Sequence, residues 1–435
     1  MRTRHRFTLI ILGLAGVAIA VVALPTLHPA APVNPVVSTK PGGYQVEVAA
    51  LDERIAALGR RAVAMPTSWG TREGLAQAYL DRARLTGVYD DYTRAAAEID
   101  AAFAIAPAGA GPFVSRATLA FAIHRFDTIS GDLDVAERMI ALKDTELAQL
   151  RALRAQAAYQ QGDYARAEAD FAESLRLNSD WSTLCGQALL RANTGDADAG
   201  DRLYLMARRM AVNATPRQLA WLDLQRGLLA LARGRHAEAE TCYRSADAVF
   251  PGWWLIEEHL AEVAALHGRR DEARERYRDL IERTGNPEFM DALAEIVRAD
   301  GDLAAADALT RRATTVFQAL VAKHPAAATG HALDHFIAHD PQPALAVSLA
   351  ERNHHLRGGG EALTGLIEAY LAADDGQRAL AAAHRLLATR WDTADGQAAA
   401  ARALARSGDL VAARRAAQRA RELNPVIEVD AALID

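Results

Sequence analysis

The stretch GLLALARGRHAEAETCYRSADAVFP, residues 227–251, decides the fold. Within it Gly227 precedes a turn glycine, Gly234, and Ala239, Tyr243, Ala246 and Pro251 follow that turn at offsets of five, nine, twelve and seventeen residues. Each position has a physical reading. Small residues such as Gly227 and Ala239 let two helices approach closely. The aromatic Tyr243 fills the gap to the next pair, Gly234 reverses the chain, and Pro251 ends the second helix.

The pattern recurs outward in both directions. Gly268 is followed by Ala273 and Tyr277, Gly162 by Ala167 and Phe171, Gly195 by Tyr204 and Ala207, Gly301 by Ala306 and Ala313, and Gly408 by Ala413, Ala420 and Pro425. Weaker units have their turns near Asp90, His124, Asp340 and Asp374. Steps between turns run from 33 to 39 residues, which is the length of two helices of about 13 residues with two short turns. A helix between Val46 and Ala62 supplies an incomplete leading unit. One such pair cannot bury its apolar face alone, so the units must stack.

These residues and offsets resemble the tetratricopeptide repeat family over roughly residues 49 to 425. The resemblance implies an all-α fold, a right-handed superhelical solenoid of about ten helix-turn-helix repeats occupying 44–435. Two units depart from the pattern, with Leu345 in place of a small alanine and His124 in place of a turn glycine. In this family the first helix of each pair lines the inner face. Offsets from each turn place Trp221, Leu224, Leu228 and Leu231 there as an apolar stripe, followed by Glu258, Glu262, Glu288, Asp291, Glu295, Asp334, Glu361 and Glu368 as an acidic strip relieved by Arg298. The implied function is a non-enzymatic protein-interaction scaffold that holds an unidentified protein or peptide, basic or mixed in charge, in the concave face.

Composition agrees with the helical reading. The chain has 435 residues, 51% hydrophobic but only 6% aromatic, and alanine fills more than a fifth of it. Short, strong helix formers dominate, which argues against an all-β fold. With Lys+Arg 49 against Asp+Glu 55 the net charge is −6, so nucleic acid is not expected as a partner. Lys40, Lys143 and Lys323 are the only lysines, and a phosphate loop of the GK[ST] kind is absent.

At the N-terminus Arg2, Arg4 and Arg6 precede an uncharged run from Thr8 to Leu24. Residues 1–24 read as a signal anchor or a signal peptide, with cleavage after Ala20 or Ala23 as the alternative to retention. The positive-inside rule then puts the body in the periplasm, anchored in the inner membrane through residues 8–24. Residues 25–43, with TLHPAAPVNPVVSTKPGG at 26–43, read as a proline-rich spacer. The signal, with the arginine- and alanine-rich usage, implies a bacterial cell-envelope protein. Cys185 and Cys242 lie in different units and are expected as packed, unpaired residues.

Catalytic motifs are missing: there is no GxSxG, HExxH or strand-borne GxGxxG, and no zinc spacing of Cys and His. No cofactor is expected. The densest group of metal-ligand types is His331, Asp334 and His335, with His339 a turn further on. Offsets of three and four share a helix face, so the alternative function is a metal-binding module centred on His331 and His335. The plainer expectation is a polar helix whose imidazoles hydrogen-bond within the array. Arg357-Gly358-Gly359-Gly360 is expected to be a loop between helices, and Trp253 and Trp254 to pack between units.

Overall fold

The computed structural model describes residues 43–139 and 142–433. A leading helix α1 (Tyr44–Ala64) is followed by α2 (Trp69–Thr86) with α3 (Asp90–Ile105), α4 (Phe113–Ala122) with α5 (Ile129–Met139), and α6 (Asp144–Gln160) with α7 (Tyr164–Leu177). Next come α8 (Trp181–Asn193) with α9 (Ala197–Met210), α10 (Pro216–Ala232) with α11 (His236–Val249), and α12 (Trp254–Leu266) with α13 (Arg270–Thr284). The last four pairs are α14 (Pro287–Ala299) with α15 (Leu303–Lys323), α16 (Pro325–Asp334) with α17 (Pro343–Arg357), α18 (Gly360–Ala372) with α19 (Gly376–Leu387), and α20 (Ala394–Arg406) with α21 (Leu410–Leu423). The chain is an all-α solenoid of ten such pairs behind one leading helix.

Local sequence explains the hairpins. Gly162, Gly195, Gly301 and Gly408 take positive φ, and each is followed by an aspartate that caps the second helix. Asp163, Asp196, Asp302 and Asp409 each accept a hydrogen bond from the backbone N–H three residues on. Glycine supplies the left-handed turn and aspartate satisfies a free amide, so a Gly-Asp pair both ends one helix and starts the next. His124 and Asp374 adopt the same left-handed conformation without being glycine, at φ 63° and 61°. At the first pair the left-handed residue is Gly87 rather than Asp90, which opens α3.

Packing within a pair and between neighbouring pairs depends on missing side chains. A Cβ on Gly227 would stand 2.2 Å from the Tyr243 ring, and one on Gly186 would stand 2.4 Å from Phe171. Tyr243 and Phe171 are fully buried as a result, each aromatic contributing about 1.5–3 kcal/mol of burial. Cys185 and Cys242 are buried and unpaired. At the far end Leu433 and Val429 fold back onto Ala413, Ala416 and Ala417.

The superhelix is wound so tightly that one edge of the ribbon rests on the other. Turns inside early pairs touch connections between late pairs. Leu85 O accepts from both indole N–H groups of Trp253 and Trp254, at 3.1 and 2.9 Å. The Gly359 N–H donates to Gln160 O at 3.0 Å, and the Asp392 N–H to Asn193 O at 2.9 Å. Gly195 and Gly234 face Asp392 and Asn424 with no room for a Cβ, and at Gly162 one would stand 3.2 Å from Gly358 O. Arg357-Gly358-Gly359-Gly360 is therefore both a helix boundary and a docking edge.

The expected membrane anchoring is corrected. Among the described residues no helix is long and apolar enough to cross a membrane, because charged side chains line one face of the paired helices. Residues 8–24, on which the anchor reading fell, lie outside the described residues, as does the spacer before Gly43. Attachment to the inner membrane, the periplasmic placement of the body and the exported, membrane-anchored description that followed from it are accordingly withdrawn.

Candidate functional site

The first helices of the later pairs, α12, α14, α16, α18 and α20, carry the acidic residues of the inner face. The structure does not leave these as a bare strip. Along α14 the carboxylates recur at Glu288, Asp291 and Glu295, and along α16 and the π-helical turn His335–His339 the imidazoles recur at His331, His335 and His339. The two series face each other rung by rung. His331 Nδ1 lies 3.0 Å from Glu288 Oε1, His335 Nδ1 2.8 Å from Asp291 Oδ2, and His339 Nε2 3.8 Å from Glu295 Oε1. Spacings of three and four place all members of a series on one helix face. The π turn is a rare geometry that recurs at functional sites.

Each rung has its own electrostatics. His335 also meets Thr314 Oγ1 at 2.9 Å through Nε2, so both ring nitrogens are used. Burial, reinforced by Asp291, pushes Glu295 up to about 7. Burial holds His339 below the usual imidazole range even though Asp291 acts to raise it. The expected metal grouping of His331, Asp334 and His335 is not assembled among the described residues, since the two imidazoles pair with Glu288 and Asp291 of α14.

Asp334 marks the acidic centre. It is open to solvent yet enclosed by protein, and burial followed by Glu288, Glu368 and Glu361 raises its carboxyl to about 7. The neighbours have partners: Glu361 accepts from Arg357 at 3.1 Å and Glu368 from Arg402. Asp395 on α20 is also raised, to about 6, by burial and then Glu368 against the pull of Arg402. Arg357 reaches across the superhelix to His124, whose ring nitrogens lie 3.1 and 2.9 Å from its Nη2. Burial, then Arg357 and His331, hold His124 well below the usual imidazole range. A neutral ring that accepts from Arg357 explains why a histidine occupies a left-handed turn.

On α12, Glu258 is 2% exposed, and Glu262 is partly open. His259 lies between them. Burial lifts Glu258 to about 7. Burial also acts to lower His259, but Glu258 and Glu262 outweigh it and raise the ring to about 10.

The apolar stripe expected at Trp221, Leu224, Leu228 and Leu231 is not open. Trp221, Leu224 and Leu231 are buried and Leu228 is half-buried, in one apolar cluster with Leu51, Tyr44 and Val48 of α1. The winding brings α1 over this region, with Arg217 paired to Glu47 at 3.0 Å and the Tyr44 N–H donating to Pro251 O at 3.1 Å. Sequence reasoning missed His259, His124, Arg357 and Asp395 as members of the site. Only His259 carried a local signal, its place within one turn of Glu258 and Glu262.

The fold defines the class: an all-α solenoid of paired helix-turn-helix repeats. No protein-family model matches the chain, and no curated protein does. Among solved structures it is similar to yeast Tom70, with 13% identity, TM-score 0.45, and 84% of this chain and 88% of that one covered. It is also similar to a chain of the APC/C hetero-tetramer Cut9–Hcn1, with 12% identity, TM-score 0.37, and 90% and 82% covered. A third is Pseudomonas aeruginosa PilF, with 14% identity, TM-score 0.32, and 56% and 91% covered. The likeness is one of helical-repeat architecture alone.

Proposed function

We propose that the chain is a non-enzymatic scaffold that binds a basic or mixed extended segment of a partner protein along the inner face formed by α14, α16, α18 and α20. The observation that carries this reading is Asp334, a carboxylate open to solvent that no side chain pairs with, surrounded by Glu288, Glu361 and Glu368. An arginine or lysine from a partner would relieve that repulsion, which is a differential gain available only on binding. Arg357, Arg402 and His331 already serve the neighbouring acids, so the unmet demand is local and cationic. Glu295, partly open on α14, extends it.

The test is fluorescence anisotropy with two labelled 15-residue peptides of matched length, one Lys/Arg-rich and one Asp/Glu-rich. The basic peptide should bind and weaken with salt. Combining Asp334→Asn, Glu361→Gln and Glu368→Gln should weaken binding at least about tenfold, equivalent to about 1.4 kcal/mol, with helicity unchanged. Equal binding of both peptides, or of the basic peptide by wild type and triple variant, would reject the inner face as the site.

A further inference from the structure

One cluster on α12 is not explained by partner binding. Glu258, His259 and Glu262 each offer one ligand atom, and the three atoms lie within 4.8 Å of one another in a buried setting. His259 Nδ1 stands 2.9 Å from Glu258 Oε2 and 3.1 Å from Glu262 Oε2. Residues 258 and 262 share a helix face at a spacing of four, and the ring of His259 swings back between them. Apart from the acids themselves, the polar atoms around this cluster are incompletely satisfied. His259 Nε2 and the hydroxyl of Tyr243 are buried without a hydrogen-bond partner, and the Tyr243 ring stacks on His259 with centroids 5.2 Å apart. Buried polar atoms in native proteins are nearly always paired, and an exception marks the place of a water or an ion.

Charge and geometry choose between those occupants. Two buried carboxylates balanced by one imidazolium leave a net negative site, whereas a dication in place of the imidazole proton neutralises both acids. A tetrahedral site with bonds of about 2.0–2.1 Å separates its ligand atoms by about 3.3 Å, so the two spacings from His259 Nδ1 need to open by only a few tenths of an ångström. One imidazole nitrogen with two carboxylate oxygens suits zinc better than the all-oxygen preference of magnesium or calcium. We propose that Glu258, His259 and Glu262 form a three-ligand site for a divalent transition metal, zinc by preference. Its fourth position lies on the side of the partly open Glu262, toward the inner face. On binding, the Nδ1 proton of His259 leaves to solvent and the freed lone pair takes the metal. The site is distinct from His331 and His335, which are committed to Glu288, Asp291 and Thr314.

The experiment uses the full chain stripped with a chelator and titrated with zinc alone, bound metal being measured by atomic absorption after equilibrium dialysis. Wild type should retain one zinc per chain, with a rise in melting temperature and a net release of protons on binding at pH 7 by calorimetry in two buffers. Glu262→Gln and His259→Gln should each weaken that binding by more than about tenfold, while His335→Gln keeps it. The absence of zinc uptake by wild type, uptake without proton release, or uptake equal to wild type in both α12 variants would overturn the proposal. Because the wild-type proton count stands alone, a variant that fails to fold does not protect the proposal. The peptide-binding variants lie on α16 and α18, so failure of one reading leaves the other separately testable.

Discussion

The imidazole of His335 donates from Nδ1 to the Asp291 carboxylate across 2.8 Å, and neither side chain has more than a trace of solvent contact. Removing one partner of a buried pair strands the other, at a cost of roughly 3 kcal/mol. Asp291→Ala should therefore destabilise α14 and α16 by about that amount in urea unfolding. The double variant with His335→Leu should cost less than the two single losses added together. Strict additivity would mean that the rung is not an interacting pair.

Gly227→Ala tests the packing device of the repeat. The new methyl would meet Tyr243 at 2.2 Å, an overpacking that costs about 1–3 kcal/mol. Tyr243→Leu on the same background should recover part of the loss by vacating the space. Since solenoid stability is a sum over neighbours, hydrogen exchange should speed up around α10 to α12 before it does elsewhere. Unchanged exchange there would refute the registration of the pair.

Stability should fall as pH rises from about 4 to about 8. Glu258, Glu295 and Asp334 each have a carboxyl raised to about 7 in the fold. A raised group stabilises fully below its unfolded pKa, near 4 for a carboxyl, and loses that contribution as pH climbs through the folded value. His259, raised to about 10, acts in the same direction above its unfolded value of about 6.5. His124 and His339 are lowered, so their contribution is present above that value and fades below it, which partly offsets the carboxyl groups on the acid side. Asp334→Asn should raise stability at pH 8 by about 1 kcal/mol after discounting for its solvent contact, and should flatten the alkaline limb seen in melting curves.

Gly359→Val probes the closure of the superhelix. A Cβ there would stand 2.8 Å from Gln160 O, wedging apart two turns that meet through a 3.0 Å backbone hydrogen bond. Small-angle scattering should record a larger radius of gyration with helical content unchanged. The same radius for wild type and variant would show that this edge contact does not hold the turns together.

The final segment seals one end. Leu433 is 5% exposed against Ala413, Ala416 and Ala417, so Leu433→Asp should lower the melting temperature or drive self-association detectable by light scattering. A monomeric variant of equal stability would remove the capping role.

Much of the fold was legible because its causes are local. Gly162, Gly195, Gly234, Gly268, Gly301 and Gly408 were each readable as turns and each takes positive φ, since a tight reversal between helices needs a conformation that glycine adopts without strain. Tyr243, Tyr277 and Phe171 were readable as core at the same offsets. The site was less legible. Its acids were identifiable by position within each unit, but the histidines that answer them sit on a neighbouring pair, at sequence separations of 43 and 44 residues for His331 and His335. A spacing rule within one helix brought His331 and His335 together with Asp334, whereas packing turned both rings toward α14.

The sequence by itself determined that this chain is a stack of paired helices, where each pair turns, and which residues fill the space between helices. Those outcomes depend on residues within about one repeat of each other. Only the tertiary structure decided what the inner face looks like, because that depends on the small rotation between successive pairs summed over several units. The summed winding sets Leu85 beneath Trp253 and Trp254, closes α1 over Trp221 and Leu224, and leaves Asp334 open among acids. No single repeat encodes that sum, so no local pattern reveals it.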